Sequence, residues 1–394
     1  MHTVDVSQDG QIVTLSSALN GTLNGTRSQT RFHAIWLRDN AMDAGTRSLD
    51  NGQSLIAIRD IDRDILVSQG QLSGDLLQLT FMPTKQTIDY SVDWLLANAY
   101  DKPQPSTVGW AQDDHSLWGN DLMANLPVGD YQQVFASPVA LQTWLGHIAR
   151  YGFATLEQGP VEAGTLTKVV DLFGHVRETN YGRMFEVRVE EKPTNLAFTG
   201  MALQAHTDNP YRAPTPSIQV LYCLESSVPG GDSILVDGFK AVTRLRQENP
   251  HGFDLLSRYC ARFEYAGEDD VCLQAKRPMI ELAPDGQLQA VRFNNRSSVA
   301  FTDIPFEHMA EYYVAYRRLG EIIDDPDMEI SFRLNPGDCV VMDNTRVLHA
   351  RKAFSGAGTR WLQGCYSDMD GLLSRLAVLN GRLGRQQPNL QEAV

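Results

Sequence analysis

A histidine and a carboxylate stand two positions apart in the stretch LQAHTDNPYR, as His206 and Asp208. Residues i and i+2 of a strand point to the same face, so both side chains could bind one metal ion. The tripeptide alone is weak evidence, because a His-x-Asp pair also occurs at ordinary strand ends. A third ligand must come from elsewhere in the chain. His349 in DNTRVLHARKAF is the best candidate among the nine histidines, because it follows the apolar run CVVMDN.

Two imidazoles and one carboxylate leave about half of an octahedral shell open, as in non-haem Fe(II) oxygenases. Zinc accepts the same ligands, so the donor set alone leaves the metal undecided. Arg360 follows His349 by eleven residues, in GTRWLQGCY. A single arginine is usually a surface ion-pair partner, but a buried one requires an anion, and a carboxylate fits its fork. The occurrence of all four residues in this order favours an interior site that binds a metal and a carboxylate.

Composition excludes several other classes of function. The chain has 394 residues, 42% of them hydrophobic, and a formal net charge of −14. That charge argues against nucleic acid and anionic membranes as partners. No run of about 18 apolar residues predicts a membrane span, and no secretory signal is recognisable at the N-terminus. The five cysteines are widely spaced and odd in number, which is typical of a reducing compartment, so we predict a cytoplasmic protein.

The local patterns predict two domains. Residues 1–100 contain short β-prone runs separated by Asn-Gly, Gly and Asp, which predict a small β-rich N-terminal domain. The polar stretch 101–109, with two prolines, is the best linker candidate. Residues 110–394 form the predicted second domain.

In that second domain, strands predominate and helices flank them. Ser137-Pro138 predicts the start of a helix that ends at Gly152, and a second helix is predicted over 162–173. From about position 204 the β-signals dominate, with one amphipathic helix predicted from Pro305 to about Asp325. The absence of strand–helix alternation indicates a mainly β fold, a double-sheet jelly roll with helical support.

Several motifs carry a resemblance to a known family. HTD, GGDS at 230–233, DNTRVLH and Arg360 resemble the Fe(II)/2-oxoglutarate-dependent oxygenases of the taurine dioxygenase superfamily. The match is closer still to its γ-butyrobetaine and trimethyllysine hydroxylase branch, in NLAFTGMALQAHTDNPYRAPTPSIQVLYCL, PGGDSILVDGF and VRFNNRS. The resemblance extends from WLRDN near position 36 to about 380, and it implies a double-stranded β-helix catalytic domain.

The resemblance also implies cofactors and the residues that bind them. Fe(II) would be held by His206, Asp208 and His349. The distal carboxylate of 2-oxoglutarate would pair with Arg360, helped by the Ser233 hydroxyl, with Leu221 lining the same pocket. O₂ would be the second cosubstrate, and the reaction would yield succinate, CO₂ and a hydroxylated carbon.

A small trimethylammonium zwitterion is the substrate class that the resemblance implies. A quaternary ammonium has no N–H donor, so aromatic faces bind it by cation–π attraction. The matching cage positions here are Tyr181, Phe185, Phe198 and Tyr366. The anionic end of the substrate would be bound by Asn195 and Asn295, with Arg296 adding positive charge.

This sequence departs from the branch at its N-terminal zinc site. Three cysteines are expected just after the WLRDN motif, but Ala41, Asp43 and Thr46 stand there, and no histidine occurs between His33 and His115. We therefore predict no structural zinc, because one carboxylate cannot replace thiolates. A homodimer is expected from the resemblance only.

Two substrates compete on the sequence. γ-Butyrobetaine carries a carboxylate, and 2-(trimethylammonio)ethylphosphonate is a shorter phosphonate analogue. Arg212-Ala213 stands where an acidic residue is expected in this branch, and fewer carboxylates beside Arg296 would suit the more highly charged phosphonate. Three other classes remain as alternatives: a zinc hydrolase, a non-catalytic jelly-roll binding protein, and an oxygenase that modifies protein or nucleic acid.

Overall fold

A computed structural model describes residues 2–18, 27–102, 108–188, 201–268, 270–354 and 358–384. The chain divides into two compact units, residues 1–105 and 106–394. The boundary between them falls within the stretch 101–109. Among the residues that the structure describes, no helix combines the length and the apolar character needed to cross a membrane.

The first unit consists of two three-stranded antiparallel sheets, β1-β2-β3 and β4-β5-β6, and two short helices. Their bounds are β1 His2–Val6, β2 Ile12–Ala18, β3 Arg27–His33, α1 Ala34–Asp39, β4 Leu66–Ser73, β5 Leu76–Met82, β6 Gln86–Ser91 and α2 Val92–Ala97. Alternate residues of the strands are buried, as in a sheet with one apolar face. Val13, Phe32, Leu37, Leu79 and Leu95 are central to the core of this unit.

In this unit, other side chains occupy the positions where zinc-binding cysteines were expected. Ala41 is fully buried in the core. The Asp43 carboxylate accepts a hydrogen bond from the Thr46 hydroxyl (2.6 Å), and that hydroxyl oxygen accepts one from Arg38 Nη1 (2.7 Å). These positions therefore contribute packing and a hydrogen-bonded turn.

The second unit is built around a four-stranded sheet of order β10-β19-β12-β17 and a six-stranded sheet of order β7-β8-β18-β11-β20-β9. Two separate hairpins, β13-β14 and β15-β16, accompany them. The bounds are β7 Val128–Asp130, β8 Phe153–Glu157, β9 Phe185–Arg188, β10 Leu203–His206, β11 Ile218–Ser226, β12 Ser233–Asp237, β13 Cys260–Glu268, β14 Val271–Pro278, β15 Ile280–Leu282, β16 Leu288–Val291, β17 Glu329–Phe332, β18 Cys339–Asp343, β19 Val347–Arg351 and β20 Arg360–Ser367.

The two larger sheets pack face to face. Leu235 and Val347 of the four-stranded sheet share one buried cluster with Cys223, Val340 and Leu362 of the six-stranded sheet. Two facing sheets of largely antiparallel strands form a double-stranded β-helix, so the predicted mainly β jelly roll is confirmed.

Helices cover the outer faces of both sheets. Their bounds are α3 Tyr131–Ala136, α4 Pro138–Tyr151, α5 Thr165–Asp171, α6 Gly238–Glu248, α7 Pro250–Arg258, α8 Met309–Ile323 and α9 Met369–Gly384. Helices α3, α4, α5 and α9 pack on the six-stranded sheet, through a cluster that includes Ile148, Val169, Val220 and Val341. Helices α6, α7 and α8 form a second cluster with the residues of β12 and β19 that point away from the sheet interface.

Helix α4 confirms its predicted capping. The Ser137 hydroxyl accepts a hydrogen bond from the Ala140 amide (3.3 Å), Pro138 is the first helical residue, and Gly152 ends the helix at φ +80°. Serine, proline and glycine are preferred at these three positions because they satisfy or avoid the unpaired groups of the helix ends.

The prediction of a single helix in the β-rich part after position 204 is wrong. Besides α8, that part contains α6, α7 and the C-terminal α9. Helix α6 follows β12 without an intervening loop, and Asp237 is both the last residue of the strand and the N-cap of the helix. Such an abrupt transition leaves no turn signal in the sequence.

Candidate functional site

The structure brings together the three predicted metal ligands. His206 ends β10 and His349 lies in β19, and the antiparallel register pairs these two residues directly. Their rings lie 4.3 Å apart between centroids. Asp208 follows β10 by two residues, with its carboxylate oxygens 3.4 Å from His206 Nε2 and 3.9 Å from His349 Nε2. Donor atoms at these separations can converge on a single ion.

Hydrogen bonds fix the orientation of two of these ligands. His206 Nδ1 donates to the Gln204 carbonyl oxygen (2.7 Å), so its Nε2 keeps a lone pair directed at the site. Asp208 Oδ2 accepts from the Gln219 amide (2.7 Å) and from the Tyr366 hydroxyl (2.8 Å). Gln219 and Tyr366 are cross-strand partners on β11 and β20, so one face of the six-stranded sheet presents both donors.

The backbone of Asp208 is held by a buried asparagine. Asn344, which is 1% exposed, accepts from the Asp208 amide (2.7 Å) and donates to the Asp208 carbonyl (2.9 Å) and the Pro216 carbonyl (2.9 Å). Asn209 then turns the chain at φ +55°, a left-handed conformation that asparagine tolerates. The ligand-bearing loop is therefore tied to the loop that precedes β19.

The electrostatic environment favours the metal-binding forms of Asp208 and His349. Burial opposes ionisation of Asp208, but His349 and His206 outweigh it, so the pKa of Asp208 lies well below its ordinary value. Burial, with the charge of His206 adding to it, lowers the pKa of His349 to about 3. An ionised carboxylate and a neutral imidazole are the states that bind a cation. This donor set fits Fe(II), with three of six octahedral positions supplied by the protein.

A cavity of about 540 Å³ opens between the two facing sheets, and the three ligands line it. Arg360, the first residue of β20, also lines it, with its guanidinium carbon 5.7 Å from the centre of the Phe354 ring. Gly231 lies against the Arg360 side chain at φ +74°, where a Cβ atom would come within 3.2 Å of Arg360 Cδ. Glycine is therefore required beside this arginine. Ser233 and Leu221, predicted for the same pocket, line the cavity too.

Arg351 is a third cavity arginine that the sequence analysis missed. It is 5% exposed, and its guanidinium lies 4.9 Å from the centre of the Phe354 ring, on which Arg360 also packs. Burial and the charges of Arg360 and Arg296 lower the pKa of Arg351 to about 10, so it stays protonated at neutral pH. Arg296, Arg351 and Arg360 together make this a cavity suited to anions.

Aromatic side chains form another part of the cavity lining, called the aromatic wall below. Tyr181, Phe185 and Tyr366, three of the four predicted cage residues, line the cavity, and Phe185 lies 5.2 Å from Tyr366 between ring centroids. Gly364 on β20 makes room for the Phe185 ring, because a Cβ atom there would come within 2.3 Å of it. Tyr211 and Tyr265, which the sequence analysis missed, extend this wall.

The phenol groups of the wall are linked to one another. The hydroxyls of Tyr181 and Tyr211 are 2.9 Å apart, and the rings of Tyr211 and Tyr265 stack at 5.3 Å. Burial, and secondarily the neighbouring Tyr211, raises the pKa of Tyr181 well above its ordinary value. The rings are therefore neutral, and their faces provide a surface for a weakly hydrated cation.

The predicted anion-binding residues have three different outcomes. Asn195, like the predicted cage residue Phe198, lies outside the described residues. Arg296 lines the cavity. Asn295 does not: its amide donates to Gln204 Oε1 (2.5 Å) and its carbonyl oxygen accepts from the Tyr316 hydroxyl, beside a separate surface depression. The structure therefore places the Asn295 side chain away from the cavity, whereas its neighbour Asn294 is one of the residues that line it.

Some of the missed residues had a signal in the sequence. Arg351 follows His349 by two positions in a strand, so it must share the face of the ligand. Asn344 belongs to the same DNTRVLH motif, and Tyr211 follows HTDNP directly. No sequence signal pointed to Tyr265, because it lies in the β13-β14 hairpin, far in the sequence from the ligand motifs.

Comparison with known proteins identifies the family. A family model described as "Taurine catabolism dioxygenase TauD, TfdA family" matches residues 118–366. Human gamma-butyrobetaine dioxygenase is 29% identical over 363 residues, which cover 90% of this chain and 92% of that protein. The gamma-butyrobetaine dioxygenase of Pseudomonas sp. (strain AK-1) is 32% identical over 349 residues, covering 88% and 90%. Mitochondrial trimethyllysine dioxygenase of Bos taurus is 30% identical over 355 residues, covering 89% and 83%.

The family model covers more than half of the chain, and these relatives align over most of its length. The chain therefore belongs to the TauD/TfdA family of Fe(II)/2-oxoglutarate-dependent dioxygenases, within the branch of the γ-butyrobetaine and trimethyllysine dioxygenases.

Proposed function

We propose that this enzyme hydroxylates a C–H bond of a small trimethylammonium zwitterion, with γ-butyrobetaine as the first candidate substrate. The observation that carries the proposal is one cavity lined by three kinds of group: the His206–Asp208–His349 cluster, three arginines and an aromatic wall. The catalytic domain would be residues 110–394, with residues 1–100 as a small N-terminal domain.

His206, Asp208 and His349 would hold Fe(II). With 2-oxoglutarate and O₂, the bound metal supplies the oxidising power that inserts oxygen into an unactivated C–H bond. The contribution of the protein is geometric. Gln219 and Tyr366 donate two hydrogen bonds to Asp208 Oδ2, which fixes the carboxylate with Oδ1 3.4 Å from His206 Nε2.

Arg360 would bind the distal carboxylate of 2-oxoglutarate, with Ser233 as an additional donor and Leu221 as an apolar contact. Partial burial of Arg360 supports this role, because a guanidinium with little access to water is stabilised strongly by two hydrogen bonds to one carboxylate. The pKa of Arg351 is lowered by burial and by two neighbouring arginines. An anion bound in the cavity would stabilise the charged form of Arg351 as well.

The aromatic wall would bind the trimethylammonium group. Each well-placed ring contributes about 0.5–2 kcal/mol of cation–π attraction, and Tyr181, Phe185 and Tyr366 are available together. Arg296 would attract the anionic end of the substrate. The distance between these two ends would determine which carbon lies next to the metal.

The relatives favour a carboxylate substrate over the phosphonate, since their names specify butyrobetaine and trimethyllysine dioxygenases. One observation keeps the phosphonate as a second candidate. Arg296 and Arg351 supply two positive charges to the cavity besides Arg360, and a dianion would be attracted by both. A zinc hydrolase, the main rival class, would act without 2-oxoglutarate and O₂. The homodimer and the cytoplasmic location stay predictions, and light scattering of the purified protein tests the first.

The test is a substrate panel scored by release of succinate in the presence of Fe(II), 2-oxoglutarate and O₂. It contains γ-butyrobetaine, trimethyllysine and the phosphonate, and as matched control the isostere of γ-butyrobetaine in which tert-butyl replaces trimethylammonium. The proposal predicts that the charged compound stimulates succinate release and the isostere does not. Equal stimulation by both would contradict the role of the aromatic wall, and a higher kcat/KM for the phosphonate would make it the substrate.

A further inference from the structure

A second cluster of metal-ligating side chains lies on the surface of the second unit, where two helices begin. His251 is the second residue of α7, His308 immediately precedes α8, and Glu311 belongs to the first turn of α8. His308 and Glu311 are three residues apart at the start of the helix, which brings their side chains to one side of it. Asn249 caps α7 by accepting from the Gly252 amide (2.8 Å), which fixes the turn that presents His251.

The three side chains converge on one point. Glu311 Oε2 lies 3.0 Å from His251 Nε2 and 3.8 Å from His308 Nδ1, and all three donor atoms lie within 4.8 Å of one another. Ligands bound to zinc at about 2.0–2.2 Å in a tetrahedron are about 3.3–3.6 Å apart. The two distances to Glu311 bracket that value, so small side-chain rotations would complete the geometry.

One donor atom is buried and makes no hydrogen bond. His308 Nδ1 is shielded from solvent and makes no hydrogen bond among the residues that the structure describes. The ring packs against Tyr259, 5.6 Å away between centroids, which holds Nδ1 toward the cluster. A buried nitrogen normally has a partner, so this atom requires an explanation. Its 3.8 Å contact with Glu311 Oε2 is too long for a hydrogen bond. A cation shared with Glu311 and His251 would give this nitrogen a partner.

We propose that His251, His308 and Glu311 form a second metal site that binds a zinc-class divalent cation, separate from the dioxygenase centre. Two imidazoles and a carboxylate suit Zn²⁺, Cu²⁺ and Ni²⁺, and three protein ligands leave one position for water or a further ligand. The N-terminal ends of α7 and α8 carry partial positive charge, which opposes binding of a cation. The Glu311 carboxylate and the net charge of −14 offset this effect. The bound ion would tie the start of α7 to the start of α8.

The ordinary alternative is a surface contact between histidine and glutamate with no metal. That contact strengthens when an imidazole is protonated, whereas metal binding weakens, because ligands must lose their protons. The two alternatives also differ in stoichiometry. With the dioxygenase centre present, the proposal requires two metal sites in each chain and the alternative requires one.

The experiment is equilibrium dialysis of the metal-free full-length protein against Co²⁺ and, separately, Zn²⁺, with bound metal measured by elemental analysis. The variants H251Q and E311Q remove ligands of the proposed site, and D208N with H349Q disables the dioxygenase centre. H175Q is the matched control, because His175 is an exposed histidine outside both clusters. Circular dichroism in chelator checks that each variant is folded.

The expected result is two bound ions in the native protein and in H175Q. The second ion should be held at least about tenfold more weakly in H251Q and E311Q, since even an outer-shell change costs a metal site that much. The D208N/H349Q protein should still bind one ion. The count of bound ions requires no substrate, so this result is independent of the substrate assignment. The dioxygenase activity of H251Q should equal that of the native enzyme. One ion in the native protein, or a second ion of undiminished affinity in H251Q, would overturn the proposal.

Discussion

Replacing Arg360 with methionine tests the assignment of the cosubstrate pocket. The substitution removes the guanidinium and keeps an apolar stem of similar length. In the account above, Arg360 makes two charge-assisted hydrogen bonds to the distal carboxylate, each contributing about 1.5–3 kcal/mol. Arg360 is the first residue of β20 and is only partly buried, so hydration of the free carboxylate will compensate for part of the lost hydrogen-bond energy. A net loss of about 3 kcal/mol is therefore expected.

A loss of about 3 kcal/mol corresponds to about a 150-fold higher KM for 2-oxoglutarate. The guanidinium is remote from the reacting carbon, so kcat at saturating 2-oxoglutarate should change much less. The R360K variant keeps the positive charge but loses the forked guanidinium, so its KM for 2-oxoglutarate should lie between those of the native enzyme and R360M. The assay is succinate release at fixed γ-butyrobetaine and varied 2-oxoglutarate.

The matched control is R188Q. Arg188 lies on β9, beside β20 in the same sheet, and it is exposed. The control removes one positive charge from this sheet without touching the cavity. If R360M and R188Q shift the KM for 2-oxoglutarate equally, or if R360M leaves it unchanged, Arg360 does not bind the cosubstrate and the reasoning fails.

Three further predictions follow from other contacts. Y366F removes a hydrogen bond to the ligand Asp208 and keeps the ring, so the affinity for Fe(II) should fall about 10- to 100-fold; unchanged Fe(II) titrations would count against the contact. N295A should alter the KM for substrate by no more than about twofold, as is usual for a surface change of about 0.5 kcal/mol, and a large increase would restore Asn295 as a substrate ligand. The hydrogen bonds from Arg262 and Lys276 lower the pKa of Asp303 to about 2 from its ordinary 3.8, so its contribution to stability is present above about pH 4 and is lost as the pH falls toward 2. D303N should therefore show a shallower fall in urea midpoint over that interval, and an equally steep fall would refute the coupling.

Much of the centre was predictable because it depends on strand periodicity and on motifs. His206 ends β10 and His349 lies in β19, so the backbone of a strand directs both side chains. Asp208 lies two residues beyond β10, and its position depends on the hydrogen bonds of Asn344 to its backbone. The convergence of the three ligands, by contrast, depends on the pairing of β10 with β19, which the sequence indicated only through the family resemblance.

Asn295 shows where local patterns stop being informative. VRFNNRS contains two adjacent asparagines, and the sequence could not show which of them faces the cavity. In the structure Asn294 binds the Thr207 carbonyl and lines the cavity, while Asn295 turns outward to Tyr316. Orientation in such a segment is decided by hydrogen bonds to distant residues, which composition and periodicity do not contain.

The helices after position 204 were missed for another reason. Helix α7 is nine residues long and follows α6 with only Asn249 between them, and Asn249 caps both ends of that junction. Short helices joined this closely leave no polar loop between apolar segments, so the pattern resembles an irregular β region. Tertiary packing of α6 and α7 against α8 stabilises them more than their own propensities do.

The central claim is that His206, Asp208 and His349 form the centre of a 2-oxoglutarate-dependent hydroxylase of a trimethylammonium substrate. The most direct test measures succinate and hydroxylated product together, in native enzyme and in H349A, with γ-butyrobetaine, Fe(II), 2-oxoglutarate and O₂. The account predicts equal amounts of the two products in the native enzyme, none when any one component is omitted, and neither product from H349A. Turnover without 2-oxoglutarate, or product formation by H349A equal to that of the native enzyme, would contradict it.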